Sequence, residues 1–165
     1  MGVKIGIIGG SGLDNPDILT EARDVQAGTR WGEPSSALRE GRIGGVSVAL
    51  LARHGRGHTI APSRVNYRAN IQALVDSGCT HILATTAAGS LREEIRRGDL
   101  VIPDQFIDFT RQRKMTFHEH FTASVPVHTP MADPFDQNLR AVLIAGCEKR
   151  GFPHHVRGTV ITIEG

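Results

Sequence analysis

The chain has 165 residues, 39% hydrophobic and 22% charged, with a formal net charge of +2, the composition of an ordinary soluble globular protein with a sizeable core. Its basic residues are scattered, with no Lys/Arg run or aromatic ladder, so no nucleic acid is expected as a partner. No apolar stretch approaches the ~20 residues of a membrane helix, and the first apolar run, residues 3–8, is too short for a secretory signal. No membrane partner and a cytoplasmic location are therefore expected, with Cys79 and Cys147 as reduced thiols.

Val3-Lys4-Ile5-Gly6-Ile7-Ile8 reads as a buried strand ending in Gly9-Gly10-Ser11-Gly12. Residues 39–43 and 46–51 are β-like, with Gly44-Gly45 as the hairpin turn between them. Arg53 and His54 follow the second of these strands. A helix comes next: Pro62-Ser63 precedes it, with Ser63 as N-cap, and Tyr67, Ile71, Leu74 and Val75 fall on one face. Gly78 stops it. Residues 81–86 read as another buried strand, leading into Ala87-Ala88-Gly89-Ser90.

Leu100 to Ile102 and Phe106-Ile107 are short strand pieces. The segment 109–132 is irregular and holds His118, His120 and His128. Asp133-Pro134 then opens a second helix, with the acid as N-cap, the proline at N1, and Phe135, Leu139, Val142 and Leu143 on its apolar face. Gly151 ends that helix. His154-His155 reads as solvated loop, and residues 156–163 as a final strand. Strands alternating with helices point to an α/β fold: a mixed, largely twisted central sheet flanked by helices. The chain closes on an apolar strand with nothing after it to cover its end. Residues 1–165 are thus expected to be the N-terminal portion of a single domain whose C-terminal part is absent.

Three strand exits carry residues suited to an anion. Glycines at 9, 10 and 12 let backbone N–H groups approach a ligand, and Ser11 adds a hydroxyl. The run is neither the GxGxxG dinucleotide pattern nor a P-loop, and alone it is equally a tight turn. Arg53 offers a planar fork for two phosphate oxygens, with His54 beside it. Alone, this is more simply a surface pair. Thr85-Thr86-Ala87-Ala88-Gly89-Ser90 keeps backbone accessible where open α/β sheets bind ligands. All three together on one sheet edge favour a phosphate site. The histidines between 118 and 128 lack metal-site spacing, so no metal is expected.

These segments resemble the trimeric purine nucleoside phosphorylases, and within them the members that cleave 5′-methylthioadenosine. The resemblance runs in order along the chain. It is carried by Gly6-Ile7-Ile8-Gly9-Gly10-Ser11-Gly12-Leu13, Leu51-Ala52-Arg53-His54-Gly55 with Val65-Asn66-Tyr67-Arg68-Ala69-Asn70-Ile71, and Thr85-Thr86-Ala87-Ala88-Gly89-Ser90-Leu91-Arg92-Glu93-Glu94-Ile95. Gly98-Asp99-Leu100-Val101-Ile102-Pro103-Asp104-Gln105-Phe106-Ile107-Asp108, Pro130-Met131-Ala132-Asp133-Pro134-Phe135 and Val160-Ile161-Thr162-Ile163-Glu164-Gly165 continue it. Arg30 stands where the family usually has proline, and residues 117–128 are shorter than in close relatives.

The resemblance implies phosphorolysis of 5′-methylthioadenosine to adenine and 5-methylthioribose 1-phosphate. Inorganic phosphate would be the co-substrate, and no cofactor would be needed. It assigns phosphate binding to Ser11, Arg53, His54, Thr86 and Ala87, with His58 close by. It assigns His128 to the ribose and methylthio pocket of a neighbouring subunit in a homotrimer. The family's purine-protonating acid falls beyond Gly165, so no catalytic residue is named and the 165 residues alone are expected to be inactive. Two alternatives remain: the same fold acting on inosine, guanosine or methylthioinosine, and a non-catalytic phosphate- or nucleotide-binding protein.

Overall fold

A computed structural model describes residues 2–10 and 16–164. Ser11 and Gly12 of the glycine-rich turn lie outside the described residues. The chain divides into two compact units, Met1–Ala87 with Lys114–Phe117, and Ala88–Arg113 with His118–Gly165.

The first unit is built on five strands: β1 (Lys4–Gly9), β2 (Thr20–Val25), β3 (Leu38–Ile43), β4 (Val46–Ala52) and β5 (His81–Ala84). Their order is β2-β3-β4-β1-β5. β1 pairs in parallel with β4 and with β5, while β2-β3-β4 is an antiparallel meander, so the sheet is mixed as expected. The β3–β4 turn falls on Gly44-Gly45, where φ is 54° and 82°. Two consecutive positive φ values match a turn whose twist suits a two-residue hairpin, and glycine adopts both without steric cost. Thr20-Glu21-Ala22-Arg23-Asp24-Val25 lacks apolar alternation and was not legible as a strand. It is the sheet's edge, with a register shift between Thr20 and Arg23, and polar composition is how edges avoid further pairing.

β4 is buried on both faces. Ala49 and Leu51 pack with Ile8, Leu38, Ala73 and Leu74, and Val48 and Leu50 pack with Leu19 on the other side. Helix α1 (Tyr67–Asp76) covers the first of these faces. Its N-cap is Asn66, not Ser63: the Asn66 Oδ1 accepts from the Ala69 N–H at 3.2 Å, while Ser63 sits in a preceding short 3-10 turn, Pro62–Arg64. The buried face also differs from the apolar pattern. Ala69, Asn70, Ala73 and Leu74 face inward, and Val75 is 52% exposed. Two alanines let the helix approach the sheet closely. The buried Asn70 amide is satisfied by Ser35, accepting from its N–H at 2.7 Å and donating to its hydroxyl at 3.0 Å.

The second unit holds β6 (Leu100–Val101), β7 (Gln105–Asp108), helix α2 (Gln137–Arg150), β8 (His154–His155) and β9 (Thr159–Thr162). β6 pairs with β8 and β7 with β9, both in parallel. α2 starts three residues later than Asp133-Pro134 would place it. Asp136 is its N-cap, accepting from the Leu139 N–H at 2.8 Å, and Gly151 ends it in the left-handed conformation. Its one buried residue is Cys147, while Val142 and Leu143 of the expected apolar face are exposed. Arg140 fastens the helix, donating to the carbonyls of Pro103 and Val156. His154-His155 is a half-buried strand and not a solvated loop, and His155 Nε2 lies 2.8 Å from Asp99 Oδ2. Cys79 and Cys147 are free thiols.

Candidate functional site

The parallel pairing of β1 with β4 and β5 brings three strand exits to one edge of the first unit's sheet. Gly9 is opposite Ala52, and Ile8 opposite Ala84, so Gly10, Arg53 and Thr85 leave the sheet side by side. Two backbone bonds continue the ladder beyond the strands, Arg53 N–H to Gly9 O and Thr85 N–H to Ile8 O, each 3.0 Å. The resulting cleft has a volume of about 480 Å³ and is lined by Gly10, Arg53, His54, His58, Thr85, Thr86 and Ala87.

Arg53 is half-buried and stands at the centre. Its Nη1 donates to the Thr85 carbonyl at 2.8 Å, its Nη2 lies 3.5 Å from the Thr86 hydroxyl, and its Nε donates to His54 Nε2 at 3.3 Å. Guanidinium carries five N–H groups, so donors on both terminal nitrogens remain for an anion in the cleft. A Cβ added at Gly10 would come within 2.9 Å of Arg53 Nη2. Only glycine lets the first strand exit sit this close to the guanidinium.

His54 and His58 come from the loop after β4. Gly55 and Gly57 have φ of 74° and 75°, and His58 itself has φ of 60°. The loop closes on itself through Gly55 N–H to Ala52 O, His58 N–H to Gly55 O and Ile60 N–H to His54 O. The two imidazoles stack with centroids 4.8 Å apart. Among the described lining residues there are one guanidinium, two imidazoles and no carboxylate, a set suited to an anion.

Of the residues picked out in the sequence, Arg53, His54, Thr86 and Ala87 line this cleft together, as does His58. Ser11 lies outside the described residues. His128 is an exposed residue of the second unit's irregular segment. Gly10 and Thr85 belong to the segments picked out, but their particular roles were not read from the sequence: the Thr85 carbonyl fixes Arg53, and the missing side chain of Gly10 admits it. The strand-exit position of both was the available signal. Among the described residues no group of three or more His, Cys, Asp or Glu is placed to hold a metal ion.

A mixed α/β sheet with an anion-suited cleft at its parallel strand ends is accompanied by a family match. Residues 4–165 match the phosphorylase superfamily, and the chain belongs to it. Among individual proteins, it is 56% identical over 166 residues to the S-methyl-5′-thioadenosine phosphorylase of Xenopus tropicalis and 54% identical over 165 residues to that of Danio rerio. Each alignment covers 99% of this chain and 59% of the relative, so the chain spans about three fifths of their length. The methylthioadenosine phosphorylase of Schistosoma mansoni in complex with adenine superposes with a TM-score of 0.91 at 42% identity, covering 99% of this chain and 63% of that one.

Proposed function

We propose that the cleft binds inorganic phosphate and that the chain contributes this site to phosphorolysis of 5′-methylthioadenosine, giving adenine and 5-methylthioribose 1-phosphate. The observation that carries the reading is the Arg53 guanidinium lining the cleft, held by Thr85 beside Gly10 and Thr86, with N–H groups left over for an anion. Arg53 is the charged anchor. Thr86 supplies a hydroxyl and Ala87 a backbone N–H. Ser11 supplies a further hydroxyl, and His54 accepts from the Arg53 Nε–H and so orients the guanidinium.

Phosphate held beneath the ribose does two things. It removes the entropic cost of bringing the nucleophile to C1′, and its charge stabilises the cationic sugar that forms as the glycosidic bond lengthens. Negative charge building on the departing purine needs a proton donor. None of the cleft residues is assigned that task. The reading calls for no cofactor and for a homotrimer in which His128 serves a neighbouring subunit. The names of the relatives support 5′-methylthioadenosine over other purine nucleosides as substrate.

The test is phosphate binding by calorimetry to the wild-type chain and to Arg53→Ala, with phosphate-dependent adenine release measured on the protein at its natural length. Saturable binding that Arg53→Ala abolishes supports the site. A wild-type chain that ignores phosphate sinks it.

A further inference from the structure

The loop between β4 and the Pro62–Arg64 turn carries three of the cleft's side chains, yet it holds an unfavourable backbone. His58 at φ 60° sits next to Gly57 at φ 75°. A non-glycine residue in that region persists only where its surroundings over-determine it. The hydrogen bonds within the loop supply part of the restraint. A contact from outside the cleft adds to them.

Arg56, between the two glycines, reaches back to the sheet's edge strand. Its Nη1 donates to Asp24 Oδ2 at 2.8 Å and its Nη2 to Asp24 Oδ1 at 2.5 Å, a two-pronged pair. Asp24 is held in turn by Arg39 of β3, opposite it in the ladder, at 3.1 Å. Neither Asp24 nor Arg56 lines the cleft. The polar edge strand thus reaches, through one carboxylate, the middle of the loop that carries Arg53, His54 and His58. Bidentate geometry adds orientation that a single surface contact lacks. Arg56 also holds the Asp24 carboxyl well below the usual carboxylate range, with Arg39 adding to the effect.

We infer that the Asp24–Arg56 pair is a clamp that positions the anion-binding loop, and that both are positioning residues for the cleft. The consequence for ligand binding rests on the phosphate reading of the cleft; the effect on loop order does not. Asp24 serves two partners, and the variants separate them. Arg56→Gln cuts the loop contact and keeps the Asp24–Arg39 pair that stitches β2 to β3. Arg39→Gln does the reverse.

The experiment measures hydrogen exchange over residues 53–60, and phosphate affinity by calorimetry, on the full chain in wild type, Asp24→Asn, Asp24→Glu, Arg56→Gln and Arg39→Gln. Exchange in the loop is expected to accelerate about five-fold or more in Asp24→Asn and Arg56→Gln. The phosphate Kd should rise by a similar factor. Asp24→Glu should retain most of the order and affinity. Arg39→Gln should leave both within about two-fold of wild type. Unchanged exchange in Arg56→Gln, or an equal effect of Arg39→Gln, overturns the clamp. Faster exchange with an unchanged Kd, in a chain whose wild type binds phosphate, overturns its role in positioning. Faster exchange in a chain that never binds phosphate supports the clamp and overturns the phosphate reading instead.

Discussion

The Nε–H of Arg53 is directed at Nε2 of His54, 3.3 Å away, while Nδ1 of that ring lies 3.0 Å from the Ile60 carbonyl. Both contacts are satisfied together only when Nδ1 carries the proton and Nε2 offers its lone pair. His54 in this arrangement orients the guanidinium. Replacing it by Asn, which can accept from Arg53 only if its shorter side chain reaches, should weaken phosphate binding without unfolding the chain. Phosphate titration paired with thermal melting checks both halves. An unaltered Kd would remove His54 from the site.

Arg53 itself should be intolerant of lysine. Each charge-assisted hydrogen bond is worth about 1.5–3 kcal/mol, so losing one alone weakens binding roughly ten-fold or more. Lysine keeps the charge but cannot span Thr85, His54 and an anion at once. Arg53→Lys is therefore expected to resemble Arg53→Ala more than wild type when phosphate Kd values are compared. Near-wild-type affinity for the lysine variant would mean that net charge, not the planar fork, holds the anion.

Gly10→Ala separates binding from stability. The new methyl would sit 2.9 Å from Arg53 Nη2, the movable end of a side chain and not backbone. The guanidinium should shift and the fold should remain. The expected outcome is a raised phosphate Kd with a melting temperature close to wild type. A large fall in melting temperature would place the glycine's role in the sheet instead.

The helix cap gives a stability test. Asn66 accepts from Ala69 N–H and donates to the Trp31 carbonyl at 2.8 Å. Asn66→Ala should cost about 0.5–2 kcal/mol by denaturant unfolding, the usual range for a lost N-cap. Ser63→Ala should stay within about 0.5 kcal/mol. The opposite ranking would restore Ser63 as the cap.

Acid should destabilise the first unit through Glu40 and Asp24. Burial raises the Glu40 pKa, but the hydrogen bonds from Lys4 at 2.6 Å and Arg23 at 2.9 Å outweigh it and hold the group below its ordinary 4.5. Asp24 is depressed from 3.8 chiefly by Arg56. A carboxyl depressed in the folded state contributes stability above its unfolded pKa and loses it as pH falls through the folded value. Melting temperature should therefore drop steeply below pH 4.5, and less steeply in Glu40→Gln. Parallel profiles for the two proteins would exclude Glu40 as a source of the acid sensitivity.

Much of this geometry was legible because apolar burial and turn chemistry leave local marks. The β3–β4 hairpin followed from Gly44-Gly45, and Arg53, His54, Thr86 and Ala87 from their places at or just after strand exits. What escaped depended on partners far away in sequence. β2 is a strand because β3 pairs with it, not because of its own polar residues. His154-His155 became a strand through β6 and an Asp99 contact 56 residues distant. The inward face of α1 was set by close approach at Ala69 and Ala73, which a pattern of large apolar side chains overlooks.

The strand order β4-β1-β5 has a kinetic consequence. The central strand must meet partners far along the chain: Lys4 N–H bonds the Thr80 hydroxyl across 76 residues. Closing such a loop consumes chain entropy before any contact repays it, so pairings of this kind tend to form late. The cleft cannot exist in a partly folded chain, since its three walls come from strands that meet only when β1 is flanked on both sides. In a refolding experiment, recovery of ligand binding should lag behind helix formation and coincide with the slowest sheet-forming phase.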